Sequence, residues 1–217
     1  AEDTRTARKL MEIHGVPLNG RHVVAFHDHT HDAATKRFVD AIMDGKSVAY
    51  VSEAGTPLIA DPGYEMGRAV IEAGLPVTTA PGASAVLAAL TVSGLPTDRF
   101  AFVGFLPSSK QQRETEIAQL RDTPFTLVFY ESPKRVSAML NSLRDVLGGD
   151  RQAVVCRELT KKFEETQRGS LDELVAEFDD RTVKGELVVL VGRAGATDVA
   201  EVDVETALRD AMKTMRV

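Results

Sequence analysis

The sequence has a single cysteine, Cys156, which excludes an internal disulfide framework and fits a reducing cytoplasm. Its place in the strand-like run Ala153-Val154-Val155-Cys156 reads as a buried, inert thiol. No Cys/His cluster has zinc spacing, so no metal is expected. No apolar run approaches the ~20 residues a membrane helix needs, and the start carries no signal-peptide pattern. An excess of positive charge is also lacking: 26 Lys and Arg against 32 Asp and Glu leave a formal net charge of −6. A protein that binds nucleic acid through its overall field should be basic, which leaves room only for a local basic patch on an acidic body. Neither a GxGxxG fingerprint nor a GxxxxGK[ST] loop is present, which argues against a pyrophosphate cradle.

What is there suits one large domain or two small ones: 217 residues with 43% hydrophobic content can bury a real core. Strand and helix patterns alternate along the chain. Strands are expected at 23–26, 47–52, 77–80, 100–103, 125–130, 153–156 and 186–191. Helices are expected at 32–44, 64–73, 83–92, 109–121 and from Pro133 to Leu147, with Gly45 and Gly74 as stops. The turn Gly94-Leu95-Pro96-Thr97 is the best boundary. The expected division is an N-terminal α/β domain over 1–96, a C-terminal α/β domain over 97–194, and the start of a tail over 195–217. The chain opens directly on Ala1-Glu2-Asp3-Thr4-Arg5 and stops within a helix-like pattern, which reads as a fragment.

Five segments sit at strand ends, where open α/β sheets bind ligands. Ser52 to Gly63 is a loop of small residues, Ala54-Gly55-Thr56-Pro57-Leu58-Ile59 among them, whose backbone a ligand can approach closely. Ala80 to Ala85 has the same strand–turn–helix context, with Ser84 and Ala85 at the helix start. Phe129-Tyr130-Glu131-Ser132-Pro133-Lys134-Arg135 ends a strand in an aromatic and a carboxylate and puts two cations where a helix dipole disfavours them, which points to phosphate. Arg157-Glu158-Leu159-Thr160-Lys161-Lys162 is a dense polar run after a strand. Lys184-Gly185-Glu186-Leu187 enters the last one. Each segment alone is equally well read as tight packing or solvated surface. His27 and His29 lack a third ligand with convincing spacing, and hydrogen-bonding roles are expected of them instead.

Taken in order, these segments, with Gly94 to Phe100 and Gly104-Phe105-Leu106-Pro107, resemble the 16S ribosomal RNA (cytidine-2′-O)-methyltransferase branch of the tetrapyrrole methylase superfamily, over roughly residues 1 to 192. The resemblance implies two α/β domains with a cofactor cleft between them, a homodimer, S-adenosylmethionine as methyl donor and 16S rRNA within the small ribosomal subunit as partner. It implies a cofactor lining of Ala54, Gly55, Thr56, Pro57, Leu58, Ile59, Ser84, Ala85, Phe129, Tyr130, Leu159, Gly185, Glu186 and Leu187. The family normally begins earlier, with a first strand and a glycine-rich loop, and often has aspartate where Glu53 stands.

Methyl transfer from a sulfonium needs mainly alignment, but a ribose hydroxyl also needs a proton acceptor. Asp3, Glu158 and Lys161 are the candidates, the lysine only if burial beside Arg157 depresses its pKa. Arg5, His27, Lys110, Arg113, Lys134, Arg135 and Arg157 are the candidate substrate contacts, since local cations would meet phosphates of a single-stranded or loop target. A precorrin-type C-methyltransferase, and a truncated chain without turnover, are the alternatives.

Overall fold

The computed structural model describes residues 1–26, 32–61 and 63–194; His27 and the expected tail over 195–217 lie outside them. The chain divides into two compact units, Ala1–Ala85 and a second beginning at Val86.

The first unit holds three helices: α1 (Thr4–Ile13), α2 (Asp32–Met43) and α3 (Tyr64–Glu72). Helix α1 was not expected. Asp3 caps it, accepting from the Arg5 and Thr6 amides. Helices α2 and α3 end as their glycines predict, with Gly45 at φ +81° and Gly74 at φ +71°. The inner face of α3 is Met66, Gly67 and Val70. Gly67 is small because Leu58 occupies its space: a Cβ there would lie 2.6 Å from Leu58 Cδ2.

The expected strands at 23–26, 47–52 and 77–80 take no regular secondary structure and form no ladder among the described residues. Val48, Val51 and Val77 are exposed, whereas strands of a parallel sheet are buried on both faces. Residues 1 and 2 bond to these runs: Phe26 N donates to Ala1 O and Glu2 N to Val51 O.

The second unit opens with α4 (Ala85–Ser93) and continues through β1 (Phe100–Phe105), α5 (Lys110–Gln119), β2 (Thr126–Glu131), α6 (Val136–Leu147), β3 (Gln152–Arg157), β4 (Glu165–Ser170), α7 (Leu171–Phe178) and β5 (Leu187–Val191). Its boundary falls ahead of the Gly94 turn because α4 belongs to this core: Val86, Ala89 and Leu90 pack with Val128, Val154, Cys156 and Leu190. The sheet order is β1-β2-β5-β3-β4. Strands β1 and β2 are parallel and the other pairs antiparallel. Alternation along the strands sends Leu127, Phe129, Val155, Leu187 and Val189 to the other face, where α5, α6 and α7 close the larger core.

Three registers place the site. Arg157 and Glu131 both pair with Leu187, so β2 and β3 end beside the start of β5. Phe105 pairs with Tyr130, which brings the end of β1 to the same edge. The polar edge strand β4 and helix α7 were not expected. Helix α7 starts in a capping box in which Ser170 and Glu173 satisfy each other's amides.

Candidate active site

Beyond β3 the backbone turns sharply. Glu158 and Thr160 adopt left-handed conformations, φ +49° and +65°, and Lys161 N donates to Glu158 O at 2.9 Å. A β-branched residue at positive φ is an outlier held by its surroundings. The turn folds Glu158 back over the start of β5. Its Oε1 accepts from Glu186 N at 2.9 Å and from Lys161 Nζ at 2.9 Å. The same ammonium lies 3.0 Å from Glu186 Oε2. Gly185, at φ +95°, permits the approach: a Cβ there would sit 2.4 Å from Glu158 Cγ.

These contacts fix the charges. The Glu186 amide first, and the Lys161 ammonium second, hold the Glu158 carboxyl below its usual range. Glu158 and then Glu186 raise Lys161 above the ordinary lysine value. The condition set for Lys161 as a base, burial and a depressed pKa, is not met: the side chain is nearly half exposed and stays an ammonium. The cluster carries two carboxylates and one ammonium, hence one net negative charge.

Tyr130 stands at the end of β2, its ring 4.8 Å from Phe102 and 5.7 Å from Phe105. Burial pushes its phenol up, opposed by a hydrogen bond from the Val86 amide at the start of α4; the Glu186 carboxylate adds to the rise. Leu159, like Tyr130, packs against the smaller core of Val86, Leu90, Val128 and Val154. Phe129 and Leu187, expected in the cofactor lining, instead point into the larger core, because neighbours along a strand face opposite ways.

In the first unit, the two small-residue loops meet. Thr56 Oγ1 donates to Ala83 O at 3.0 Å, and a Cβ on Gly55, at φ +72°, would lie 3.6 Å from that oxygen. Ala83 leads directly into Ser84 and Ala85. Leu58 and Ala60 also hold positive φ, +70° and +52°, and so re-aim the loop. Leu58 turns inward onto Gly63 and Gly67, Ile59 outward, while Ala54 is exposed and Pro57 half-buried. Asp61 Oδ1 braces the loop, accepting from Tyr50 Oη at 2.7 Å and Gly63 N at 3.0 Å.

Asp3, the third proposed base, caps α1; the Arg5 guanidinium and amide bring its carboxyl down to about 2, and both of its oxygens are taken by Arg5 and Thr6 donors. Arg5 is exposed and paired with it. A groove of about 140 Å³ runs beside them, lined by Thr6, Leu10, Ile13, Val51 and Glu53 among others.

The candidate cations separate into two kinds. Lys110 and Lys134 are exposed. Arg113 is buried and donates to Ser142 Oγ, Pro107 O and Ser108 O, so it props the β1–α5 loop rather than forming a surface patch. Arg135 binds Leu106 O and lies 3.3 Å from the buried Glu131. The first turn of α6 thus begins after the cations, not on them. Arg157 pairs with Glu165 at 2.9 Å and reaches Lys184 O. Among the described residues no group of three or more His, Cys, Asp or Glu side chains is arranged to hold a metal.

Residues 3–175 match the family described as tetrapyrrole (corrin/porphyrin) methylases. The chain belongs to that family. This tetrapyrrole methylase is 44% identical over 208 residues to the ribosomal RNA small subunit methyltransferase I of Mesorhizobium japonicum, a match covering 95% of this chain and 70% of the relative. It is 47% identical over 201 residues to the protein of the same name from Mycobacterium tuberculosis, covering 93% and 69%. Among solved structures, the methyltransferase CobJ shares the fold, with a TM-score of 0.62 and 21% identity over 82% of this chain and 77% of that one.

Glu131, read in the sequence only as the carboxylate that ends an apolar strand, is buried and accepts from Ser132 N at 2.7 Å. The Val86 backbone at Tyr130 is a neighbour for which the sequence offers no signal.

Proposed function

We propose that this protein transfers the methyl group of S-adenosylmethionine to the 2′-hydroxyl of a cytidine in small-subunit ribosomal RNA. The observation that carries the reading is identity of 44–47% over more than nine-tenths of the chain to the two small-subunit rRNA methyltransferases. We further propose a homodimer acting in the cytoplasm on the small ribosomal subunit. The precorrin-type alternative has weaker support, since the solved cobalt precorrin-4 methyltransferase shares the fold at only 16% identity.

The residues present suit the cofactor. When bound, S-adenosylmethionine supplies a methyl group activated by a sulfonium cation. The Glu158–Lys161–Glu186 cluster keeps one net negative charge for that cation. Tyr130 and Leu159 offer an apolar wall.

Glu158, ionised at neutral pH, is the proton acceptor this reading favours for the ribose hydroxyl. Lys161 positions it and limits its basicity, which the good leaving group tolerates. Alignment carries most of the rate, so the rigid turn at Glu158–Thr160 serves the chemistry directly.

The test is transfer of labelled methyl from S-adenosylmethionine to small ribosomal subunits isolated from a strain deficient in this modification, with uroporphyrinogen III as the rival acceptor. Label in the RNA supports the reading; label only in the tetrapyrrole replaces it.

A further inference from the structure

The segment after Glu158 ends in a feature that the cluster chemistry does not use. Phe163 lies two residues beyond Lys161 in the same tight turn and is 62% exposed. The Lys162 ammonium stands 5.5 Å from its ring centroid, within the range of a cation–π contact. Other described rings carry a cation too: Phe38, Phe125 and Phe178. Of these four, Phe163 is the exposed one; the others are buried or half-buried.

The turn is built to hold this ring outward. Glu158 and Thr160 sit at positive φ. Thr160 N donates to the Glu164 carboxylate, and Glu164 N to Lys161 O at 3.2 Å. The neighbouring acids are therefore engaged inside the protein: Glu164 with the Thr160 amide, Glu165 with Arg157 and Arg181. Lys162, by contrast, makes no ion pair among the described residues. What faces solvent is one flat aromatic and one free cation.

We propose that Phe163 is a stacking platform for an unpaired nucleobase of the RNA substrate, with Lys162 beside it for an adjoining phosphate. This rests on the RNA reading above. Single-stranded RNA is recognised through bases splayed onto aromatic side chains, with cations tracking the backbone. An apolar protein partner would gain nothing from the lysine over the ring. Stacking here would hold RNA at the segment that carries Glu158 and Lys161, so it governs substrate binding without touching the methyl donor.

The chain contains no tryptophan, so Phe163→Trp installs a single reporter. Titrating the full chain with a single-stranded, cytidine-containing RNA oligonucleotide should quench its emission. Phe163→Ala should raise the Kd for the same RNA roughly 5- to 150-fold, and Phe163→Leu, which keeps apolar bulk, should not restore it. S-adenosylmethionine binding measured by calorimetry should be unchanged in all three, which also shows that they fold. The proposal is overturned if Phe163→Ala binds RNA as tightly as the parent protein, or if its effect is on self-association in sedimentation and not on RNA. If the parent protein binds no RNA and methylates none, the functional reading itself fails, and the stacking role with it.

Discussion

Lys161 Nζ lies 2.9 Å from Glu158 Oε1 and 3.0 Å from Glu186 Oε2, so one ammonium ties the end of β3 to the start of β5. This makes Lys161 a clamp, in keeping with the proposal that Glu158 is the acceptor. Glu158→Gln should lower kcat roughly 10²–10⁴-fold with little change in the KM for RNA. Because Lys161 is raised above its ordinary value, kcat/KM should show no limb between pH 6 and 9 that Lys161→Arg removes. Steady-state profiles of the two variants check both statements, and a basic-side limb lost in Lys161→Arg would restore the lysine as base.

Gly185 tests the same cluster from the backbone. In Gly185→Ala the new Cβ would lie 2.4 Å from Glu158 Cγ, at a φ that L residues rarely adopt. The expected result is a stability loss of ~1–3 kcal/mol together with a collapse of activity. Gly104→Ala is the matched comparison: it also has positive φ, +80°, but open space around it. It should lose stability with activity kept. Thermal melts and methyl-transfer rates on both variants separate backbone strain from displacement of Glu158.

Glu165 is an acid-sensitive element of the second unit. Arg181, then Gln167 and Arg157, hold its carboxyl at about 2, below its ordinary 4.5. A depressed carboxyl stabilises the fold above its unfolded pKa and loses that contribution as pH falls toward the folded one. Glu165→Gln should therefore destabilise by about 1–3 kcal/mol at pH 7, and the gap from the parent protein should narrow between pH 4.5 and 2. Urea melts across that window measure it; a gap independent of pH contradicts the ion-pair account.

The two kinds of cation should respond differently to removal. Lys134→Ala should weaken RNA binding for all sequences alike and reduce the salt slope by ~0.7. Arg113→Ala should lower the melting temperature, because Ser142 Oγ and the Pro107 and Ser108 carbonyls lose a buried donor, and leave the salt slope intact. Affinity measured over a salt series, beside melts, decides the matter.

Some of this was legible in the residues. Helices α2 and α3 follow from their periodicity and glycine stops, and β2, β3 and β5 from short apolar runs. Strand β4, Glu-Thr-Gln-Arg-Gly-Ser, was not, because an edge strand paired on one side needs no apolar face. The box Ser170-x-x-Glu173 that starts α7 was readable and overlooked. The runs at 47–52 and 77–80 carry a strand pattern that the first unit does not use as a ladder. For the site, the strand-end segments were legible as segments, and Glu158, Lys161, Gly185 and Glu186 do come together. Side-chain direction was not: Phe129 and Tyr130 differ by one residue and face opposite cores. Nor does a sequence distinguish Arg113, which reaches backbone carbonyls, from Lys110 three residues earlier, which faces water.

The most direct measurement is nucleoside mass spectrometry of small-subunit RNA after incubation with the protein and S-adenosylmethionine. The account predicts one new 2′-O-methylcytidine, formed by the parent protein and strongly reduced with Glu158→Gln. A methyl group on a base, or no modified nucleoside from a protein that binds the cofactor, would contradict it.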